Sequence, residues 1–204
     1  MQQSDEWFKQ RIGKATGSRF KDIIAKIKSG EAAARRNYRA QLVLERLTGS
    51  REETYTNAAM QWGNDNEPLA RVAYEAKTGL VVVEVDFINH ESLMAGVSPD
   101  GLVDDEGGIE IKCPYQSAIH LETLKNGMPD EHMAQVQGAM WITGRKWWDF
   151  ISYDPRFPDA IQLYVQRVER DEKYIGDLER EVIKFLSEVD AELEQILKMT
   201  EAAA

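Results

Sequence analysis

The spacing of apolar positions is helical in the first part of the chain. Four apolar residues follow the pattern i, i+3, i+4, i+7, namely Phe20, Ile23, Ile24 and Ile27. This period predicts an amphipathic helix that has Ser18 as its N-cap and ends near residues 29–30. Two more helices are predicted, over residues 32–47 and 66–78. The second has Pro68 in its first turn and Gly79 after its end.

The period then changes to that of β-strands. Residues 80–88, LVVVEVDFI, are rich in β-branched side chains and predict a buried strand. Shorter strands are predicted at residues 93–97, 101–103 and 109–113, and an acidic turn separates the last two. Two helices are predicted next, over residues 117–125 and 129–143, followed by two strands, over 146–154 and 160–168, and a last helix over 171–197. This order predicts an α/β fold with helices on both faces of a sheet. No linker or repeat divides the sequence, so residues 1–204 are predicted to form a single domain.

Composition argues against several classes of protein. No apolar run reaches the roughly 18 residues of a membrane helix, and the opening MQQSDEWFKQR lacks the apolar core of a signal peptide. The one cysteine, Cys113, cannot form an intramolecular disulfide, which suits a reducing cytoplasm. The histidines lack HExxH spacing and no CxxC pair is present, so a zinc site is not expected.

The net charge of −10 argues against nonspecific binding to nucleic acid, because phosphate binders usually carry a basic surface. The total charge says little about any one face, however. An acidic chain can still bind DNA through a local basic cluster and through metal ions held by carboxylates. DNA binding is therefore left open by the charge.

Residues 98–114, SPDGLVDDEGGIEIKCP, place three charged groups at a defined spacing. Glu110 and Lys112 share one face of a predicted strand, and Asp100 enters beside that face if residues 101–103 pair with 109–113. Carboxylate oxygens are ligands for Mg²⁺, which lowers the pKa of bound water, and a lysine can stabilise developing negative charge. The pattern fits metal-dependent phosphodiester hydrolysis. The alternative is a hairpin with solvated ion pairs, since the chain has 35 acidic residues.

A second group of candidate residues lies near the first predicted helix. Thr16 and Ser18 are placed where backbone N–H groups at a helix start can bind an anion, and Arg11 can donate two hydrogen bonds to a phosphate. From the residues alone, Ser18 is better explained as an N-cap. Glu67 is likewise better explained as a solvated glutamate in the first turn of a helix, where the helix dipole favours it.

The stretch SPDGL followed by GIEIKCP resembles the PD-(D/E)xK nuclease core of the lambda exonuclease and YqaJ-type viral recombinase (alkaline exonuclease) family. Four other stretches match in order, EWFKQRIGKATGSRF, WGNDNEPLAR, MAQVQGAMW and ERDEKY, so the resemblance covers nearly the whole chain. It implies a restriction-endonuclease-like PD-(D/E)xK core with a mixed central β-sheet flanked by α-helices.

The resemblance also implies an activity and its partners. The family enzyme is an Mg²⁺-dependent 5′→3′ exonuclease that degrades one strand of linear double-stranded DNA to mononucleotides and leaves a 3′ single-stranded overhang for recombination. Two Mg²⁺ ions are implied, and Mn²⁺ can substitute. A homotrimeric ring is implied, in which only the channel must attract DNA. The implied partner is a single-strand annealing recombinase, in the cytoplasm of a bacterium or phage-infected host, with no membrane.

The family's catalytic residues carry over position by position. Asp100 and Glu110 match metal-binding carboxylates, and Ile111 would contribute its backbone carbonyl to the metal. Lys112 matches the catalytic lysine. Glu67 and Gln135 match two further residues of the catalytic centre.

Other matching positions concern the DNA end. Arg11, Thr16, Ser18 and Ser98 match residues that bind the terminal 5′-phosphate. Met60 matches an apolar residue that separates the end base pairs, although a partly buried methionine is an equally simple explanation.

The sequence departs from the family pattern in two places. His90 stands where the family has an acid and is not assigned as a ligand, and the segment after Pro114 is shorter and lacks an arginine. Two alternatives remain open. One is a different PD-(D/E)xK nuclease, either an endonuclease or a single-strand-specific enzyme. The other is a catalytically idle DNA-end-binding subunit, against which the intact Asp100, Glu110 and Lys112 argue.

Overall fold

The computed structural model describes residues 4–51 and 57–202. Its helices are α1 Asp5–Arg11, α2 Phe20–Ile23, α3 Ala33–Thr48, α4 Ala58–Thr78, α5 Ser117–Asn126, α6 Met133–Thr143 and α7 Glu172–Ala202. Its strands are β1 Ala15–Thr16, β2 Val82–Val83, β3 Ile88–Asn89, β4 Ala95–Val97, β5 Gly101–Val103, β6 Gly107–Lys112, β7 Trp147–Tyr153 and β8 Leu163–Glu169. No helix in these ranges is long and apolar enough to cross a membrane.

The strands form two sheets. The larger sheet has the order β2-β5-β6-β7-β8, in which β6 and β7 are parallel and the other neighbours are antiparallel. The smaller sheet has the order β1-β4-β3, in which β1 and β4 are parallel. Strand β6 therefore lies in the middle of the larger sheet, paired on both sides.

Helices cover both faces of the larger sheet. On one face Ala70 and Tyr74 of α4 pack against Ile109 and Ile111 of β6. On the other face Trp148 and Phe150 of β7 belong to a larger core with side chains from α2, α3, α6 and α7. The predicted α/β class with helices on both faces is confirmed.

Two glycines allow β6 to lie close to β7. A Cβ atom on Gly107 would come within 2.0 Å of the Trp147 indole, and one on Gly108 within 2.4 Å of the Trp148 indole. Any larger side chain would collide with these rings. Gly107 and Gly108 thus leave room for the two indoles beside the strand that carries Glu110 and Lys112.

The helix predicted for residues 18–30 is wrong in its length and its cap. A 3₁₀ turn covers Gly17–Arg19 and the α-helix ends at Ile23, and Ile27 is 56% exposed. Ser18 lies inside the 3₁₀ turn, whose N-cap position is Thr16, so Ser18 is not an N-cap. The helical period failed here because helices in proteins are stabilised mainly by packing, and Ile27 packs against no core.

The start predicted for the helix at residues 66–78 is also wrong. Helix α4 begins at Ala58, where the side chain of Asn57 accepts a hydrogen bond from the Met60 N–H, and Pro68 lies inside the helix. Proline only removes one backbone donor and crowds the preceding turn, so a helix that packs well can tolerate it. Glu67 is therefore a mid-helix residue, and its interpretation as a solvated first-turn glutamate is wrong.

The buried strand predicted at residues 80–88 is not formed as one strand. It is divided into β2, at the edge of the larger sheet, and β3, in the smaller sheet. Val81 and Val83 are exposed. Because an edge strand is paired on one side only, its β-branched side chains need not be buried.

Candidate active site

Strand β6 carries two polar side chains between buried apolar ones. Ile109 and Ile111 point towards α4, so the intervening Glu110 points to the opposite face, where it is only 3% exposed. Its side chain meets Gln135 of α6, whose Nε2 donates a 2.7 Å hydrogen bond to Oε1 of Glu110. Lys112, at the end of β6, forms an ion pair with the same Oε1 atom.

Asp100 is held beside β6 by a backbone hydrogen bond. The Ile111 N–H donates to Oδ2 of Asp100 at 2.6 Å. Burial, followed by the negative charges of Glu110 and Glu67, raises the pKa of Asp100 well above its usual value. The three carboxylates therefore lie close enough to repel one another.

Glu67 approaches this group from α4. Its side chain is half-buried, and its Oε1 accepts a 2.9 Å hydrogen bond from Nη2 of Arg71. Burial raises the pKa of Glu67; the charge of Arg71 opposes this rise, and that of Glu110 adds to it. The structure thus brings together all five predicted catalytic residues, Glu67, Asp100, Glu110, Lys112 and Gln135.

Lys112 remains a cation at neutral pH. Burial lowers the pKa of its ammonium group, but the negative charges of Glu110 and Asp100 outweigh that effect and raise the pKa above its usual value. The ammonium therefore offsets part of the negative charge of the site, although three carboxylates face one lysine.

The donor set fits a divalent cation. Asp100 and Glu110 present carboxylate oxygens, the kind of ligand that Mg²⁺ prefers, and their mutual repulsion shows an excess of negative charge that a cation would offset. Within residues 4–51 and 57–202, no group of three or more His, Cys, Asp or Glu side chains is arranged to hold a metal by itself. A metal here would therefore need further ligands, such as the Ile111 carbonyl, water or substrate.

Two of the predicted phosphate-binding residues, Arg11 and Ser98, contact each other, whereas Thr16 is hydrogen-bonded elsewhere. Oγ of Ser98 accepts hydrogen bonds from Nη1 of Arg11 at 2.8 Å and from Nε1 of Trp7 at 3.0 Å. Burial lowers the pKa of Arg11 to about 10, so the guanidinium is still charged at neutral pH. Thr16 is buried, and its backbone N–H donates to Oη of Tyr38 at 2.8 Å, so that donor is already bound within the protein.

One small cavity is shared by predicted phosphate-binding residues and predicted catalytic residues. It has a volume of about 30 Å³ and is lined by residues of both, among them Arg11, Ser18, Ser98, Glu110 and Gln135. Met60 is not in this lining; it is exposed in the first turn of α4 and lines a neighbouring cavity with Arg11 and Ser18. A phosphate bound in this cavity by Arg11 and Ser98 would therefore lie next to Glu110.

The sequence interpretation missed several residues at this site. Trp7 donates to Ser98, and no pattern distinguished it from a core aromatic residue. Arg71 could have been found, because it follows Glu67 at i+4 on a helix. His90, which is not assigned as a ligand, has its Nδ1 bonded to the backbone: it accepts hydrogen bonds from the N–H groups of Ser92 and Leu93.

Similar proteins support this view of the fold. The chain is 46% identical to the alkaline exonuclease LHK-Exo from Laribacter hongkongensis, covering 98% of this chain and 100% of that chain with a TM-score of 0.91. LHK-Exo in complex with dAMP superposes with a TM-score of 0.92 at the same identity and coverage. A phage-related exonuclease from Haemophilus somnus 129PT, 18% identical, covers 90% of this chain and 96% of that chain with a TM-score of 0.71, which shows a shared fold.

The predicted PD-(D/E)xK fold is confirmed by these matches. The Escherichia coli (strain K12) protein ExoD is 40% identical over 65 residues, which are 32% of this chain and 74% of that protein. Residues 6–146, more than half of the chain, match the YqaJ-like viral recombinase domain. The protein belongs to the YqaJ-like viral recombinase family, within which the lambda exonuclease type is found.

Proposed function

We propose that this chain, a deoxyribonuclease of the YqaJ-like family, is an Mg²⁺-dependent 5′→3′ exonuclease of linear double-stranded DNA. It would release mononucleotides and leave a 3′ single-stranded overhang for strand annealing. The observation that carries the proposal is the single cavity that Arg11 and Ser98 line together with Glu110 and Gln135. A terminal 5′-phosphate bound in this cavity would then lie beside the proposed hydrolytic centre.

The residues suggest how the reaction would proceed. Asp100, Glu110 and the Ile111 carbonyl would hold the metal ions, with Glu67 beside them. Bound Mg²⁺ supplies a water of lowered pKa and offsets negative charge on the phosphoryl oxygens. Lys112 stabilises the charge that develops at the scissile phosphate or positions the attacking hydroxide. Gln135 holds Glu110 by its 2.7 Å hydrogen bond, which fixes the direction of that carboxylate.

Binding of the terminal 5′-phosphate would set the 5′→3′ direction of digestion. Arg11, Ser18 and Ser98 line the same cavity as Glu110. A guanidinium is well suited to bind phosphate through paired hydrogen bonds. A strand that ends in a 5′-phosphate would thus be favoured over one that ends in a hydroxyl. Met60, exposed beside these residues, would contact the terminal base pair.

The assembly and its partners belong to the same proposal. A homotrimeric ring around DNA would leave the acidic outer surface free of nucleic acid and concentrate attraction in the channel. A single-strand annealing recombinase would take up the overhang, in the cytoplasm of a bacterium or phage-infected host. Mn²⁺ would replace Mg²⁺, and residues 1–204 would act as one domain. The mass of the assembly in solution, measured by light scattering, tests the trimer.

The direct test uses several DNA substrates and one metal series. Linear duplex labelled at either 5′ or 3′ end, closed-circular duplex and single-stranded DNA are incubated with Mg²⁺, with Mn²⁺ and with EDTA. The proposal predicts early release of a mononucleotide from the 5′ end of linear duplex and no digestion with EDTA. Cutting of the closed circle would favour the endonuclease alternative. Binding of DNA ends without any digestion in Mg²⁺ or Mn²⁺ would favour the idle subunit.

A further inference from the structure

Arg71 lies between two carboxylates on the α4 side of the site. Its Nη2 donates to Oε1 of Glu67 at 2.9 Å, and its Nη1 is 2.7 Å from Oε1 of Glu84. The Arg71 side chain is 13% exposed, whereas that of Glu84 is 70% exposed. The Arg71 guanidinium is thus largely buried where it contacts Glu67.

The electrostatic setting of Glu67 requires such a partner. The carboxylates of Glu110 and Glu84 repel Glu67, and those of Glu110 and Glu67 repel Asp100. Without a fixed cation, a flexible glutamate would rotate away from this group towards water. Arg71 contacts Glu67 directly, whereas Lys112 forms its ion pair with Glu110.

Arg71 also has a buried donor that does not contribute a hydrogen bond to stability. Its Nε atom is buried and has no hydrogen-bond partner among the residues that the structure describes. Buried donors normally have partners, because an unsatisfied one is unfavourable. The guanidinium is therefore oriented by its two carboxylates in spite of this loss.

We propose that Arg71 is a positioning residue, which holds the Glu67 carboxylate towards Asp100 and Glu110 so that it completes the metal site. The inference rests on the proposed function, because it takes Glu67 as part of that site. Arg71 touches neither metal nor DNA in this scheme and acts only through Glu67. Residues that orient metal ligands from outside commonly change metal affinity by about 10- to 100-fold when replaced.

The chain provides a closely matched control. Arg35 also bonds to a glutamate four residues earlier, Glu31 at 2.8 Å, and to a second carboxylate, Glu188 at 2.5 Å. Its side chain is 11% exposed, close to that of Arg71. The Arg35–Glu188 ion pair joins α3 to α7, whereas the proposed catalytic residues lie on α4, β6 and α6 and beside β5. Arg35→Ala therefore removes an arginine of the same kind without disturbing the proposed site.

The experiment measures Mn²⁺ binding to the DNA-free protein by calorimetry. The variants are Arg71→Ala, Arg71→Lys, Glu67→Gln and Arg35→Ala, and circular dichroism confirms that each is folded. Arg71→Ala is expected to weaken Mn²⁺ binding about 10-fold, and Arg71→Lys is expected to recover part of the affinity. The Mg²⁺ concentration for half-maximal digestion rises to match, while the KM for DNA is unchanged. Arg35→Ala is expected to bind Mn²⁺ with the affinity of the unmodified protein.

The outcomes separate the inference from the function beneath it. Weaker binding in Glu67→Gln but not in either Arg71 variant overturns the positioning role and leaves the metal site standing. Unchanged binding in Glu67→Gln removes Glu67 from the metal site and overturns the inference, whereas digestion of DNA that still requires Mg²⁺ or Mn²⁺ leaves the proposed function standing. If Arg71→Ala is unfolded, Arg71→Lys decides the matter, because it retains a positive charge but loses the planar two-carboxylate geometry. Equal losses of affinity in Arg35→Ala and Arg71→Ala would show a general effect of stability and overturn the inference.

Discussion

The N–H group of Ile111 donates a 2.6 Å hydrogen bond to Oδ2 of Asp100. Glu110 and Lys112 flank Ile111 on the same strand, so one backbone bond sets the position of Asp100 relative to both. The bond occupies one carboxylate oxygen of Asp100 and leaves the other to a ligand. This arrangement would suit the proposed metal site, because the sheet itself fixes the positions of the charged groups of a short acidic hairpin.

Arg11→Ala should abolish the preference for 5′-phosphorylated ends. A hydrogen bond to a charged group contributes about 1.5–3 kcal/mol, so the ratio of rates on phosphorylated and hydroxyl ends should fall by roughly 10-fold or more. Initial rates on the two duplexes test this. Lys9→Ala removes an exposed cation from the same helix and should leave the ratio unchanged. A preserved ratio in Arg11→Ala would exclude Arg11 from the phosphate site.

Gln135→Ala should raise the Mg²⁺ concentration needed for half-maximal activity by about 10-fold, because Glu110 loses the 2.7 Å bond that orients it. The control is Gln137→Ala on the same helix. Gln137 is buried, donates to the Glu169 carbonyl and accepts from the Asp171 N–H, so its loss should lower stability without changing the metal requirement. If both variants show the same metal dependence as the unmodified protein, Gln135 has no part in the site.

Tyr74→Phe should destabilise the fold without affecting the metal requirement. Oη of Tyr74 donates a 2.8 Å hydrogen bond to Oδ2 of the buried Asp149, which Arg167 also contacts. Loss of a hydrogen bond to a charged group should lower the free energy of unfolding by about 1.5–3 kcal/mol. Urea unfolding measures the change. A variant as stable as the unmodified protein would show that Arg167 alone compensates for the charge of Asp149.

His132 should make the protein less stable as the pH falls. Burial, and then the positive charge of Lys112, lowers the pKa of His132 to about 4, whereas an unfolded histidine has a pKa of about 6.5. Between about pH 6.5 and pH 4, His132 is protonated in the unfolded chain but not in the folded chain. The free energy of unfolding therefore decreases as the pH falls through this range. Glu131 and Lys21 also face the ring.

The test compares the metal-free protein with His132→Asn. Between pH 8 and pH 5 the unmodified protein should lose about 2 kcal/mol of stability relative to the variant. Other groups, such as Asp100 and Glu67, are present in both proteins, so most of their contributions cancel in the difference. Parallel pH profiles would mean that the imidazole binds protons equally well in the folded and unfolded chains.

The sequence predicted the class of fold and the strand pair that bears Asp100, Glu110 and Lys112, because alternation along β6 and the acidic turn are local signals. It did not predict where α4 begins or that residues 80–88 serve two sheets, since packing partners far along the chain decide both. The local residue patterns around Glu67 and Ser18 therefore indicated the wrong helix positions for both. Only the family resemblance assigned those two positions to the site, and Arg71 and Trp7 appeared only once the chain was folded.

The most direct measurement of the central claim uses Lys112→Ala in single-turnover digestion of 5′-phosphorylated linear duplex, together with DNA binding measured by fluorescence anisotropy. Lys146→Ala, which removes an exposed lysine paired with Glu106, is the control. The account predicts that Lys112→Ala digests DNA at least about 100-fold more slowly, since removal of one group that stabilises transition-state charge commonly costs that much. DNA binding and the Lys146→Ala variant should be nearly unaffected. Digestion by Lys112→Ala at the unmodified rate would contradict the assignment of this site.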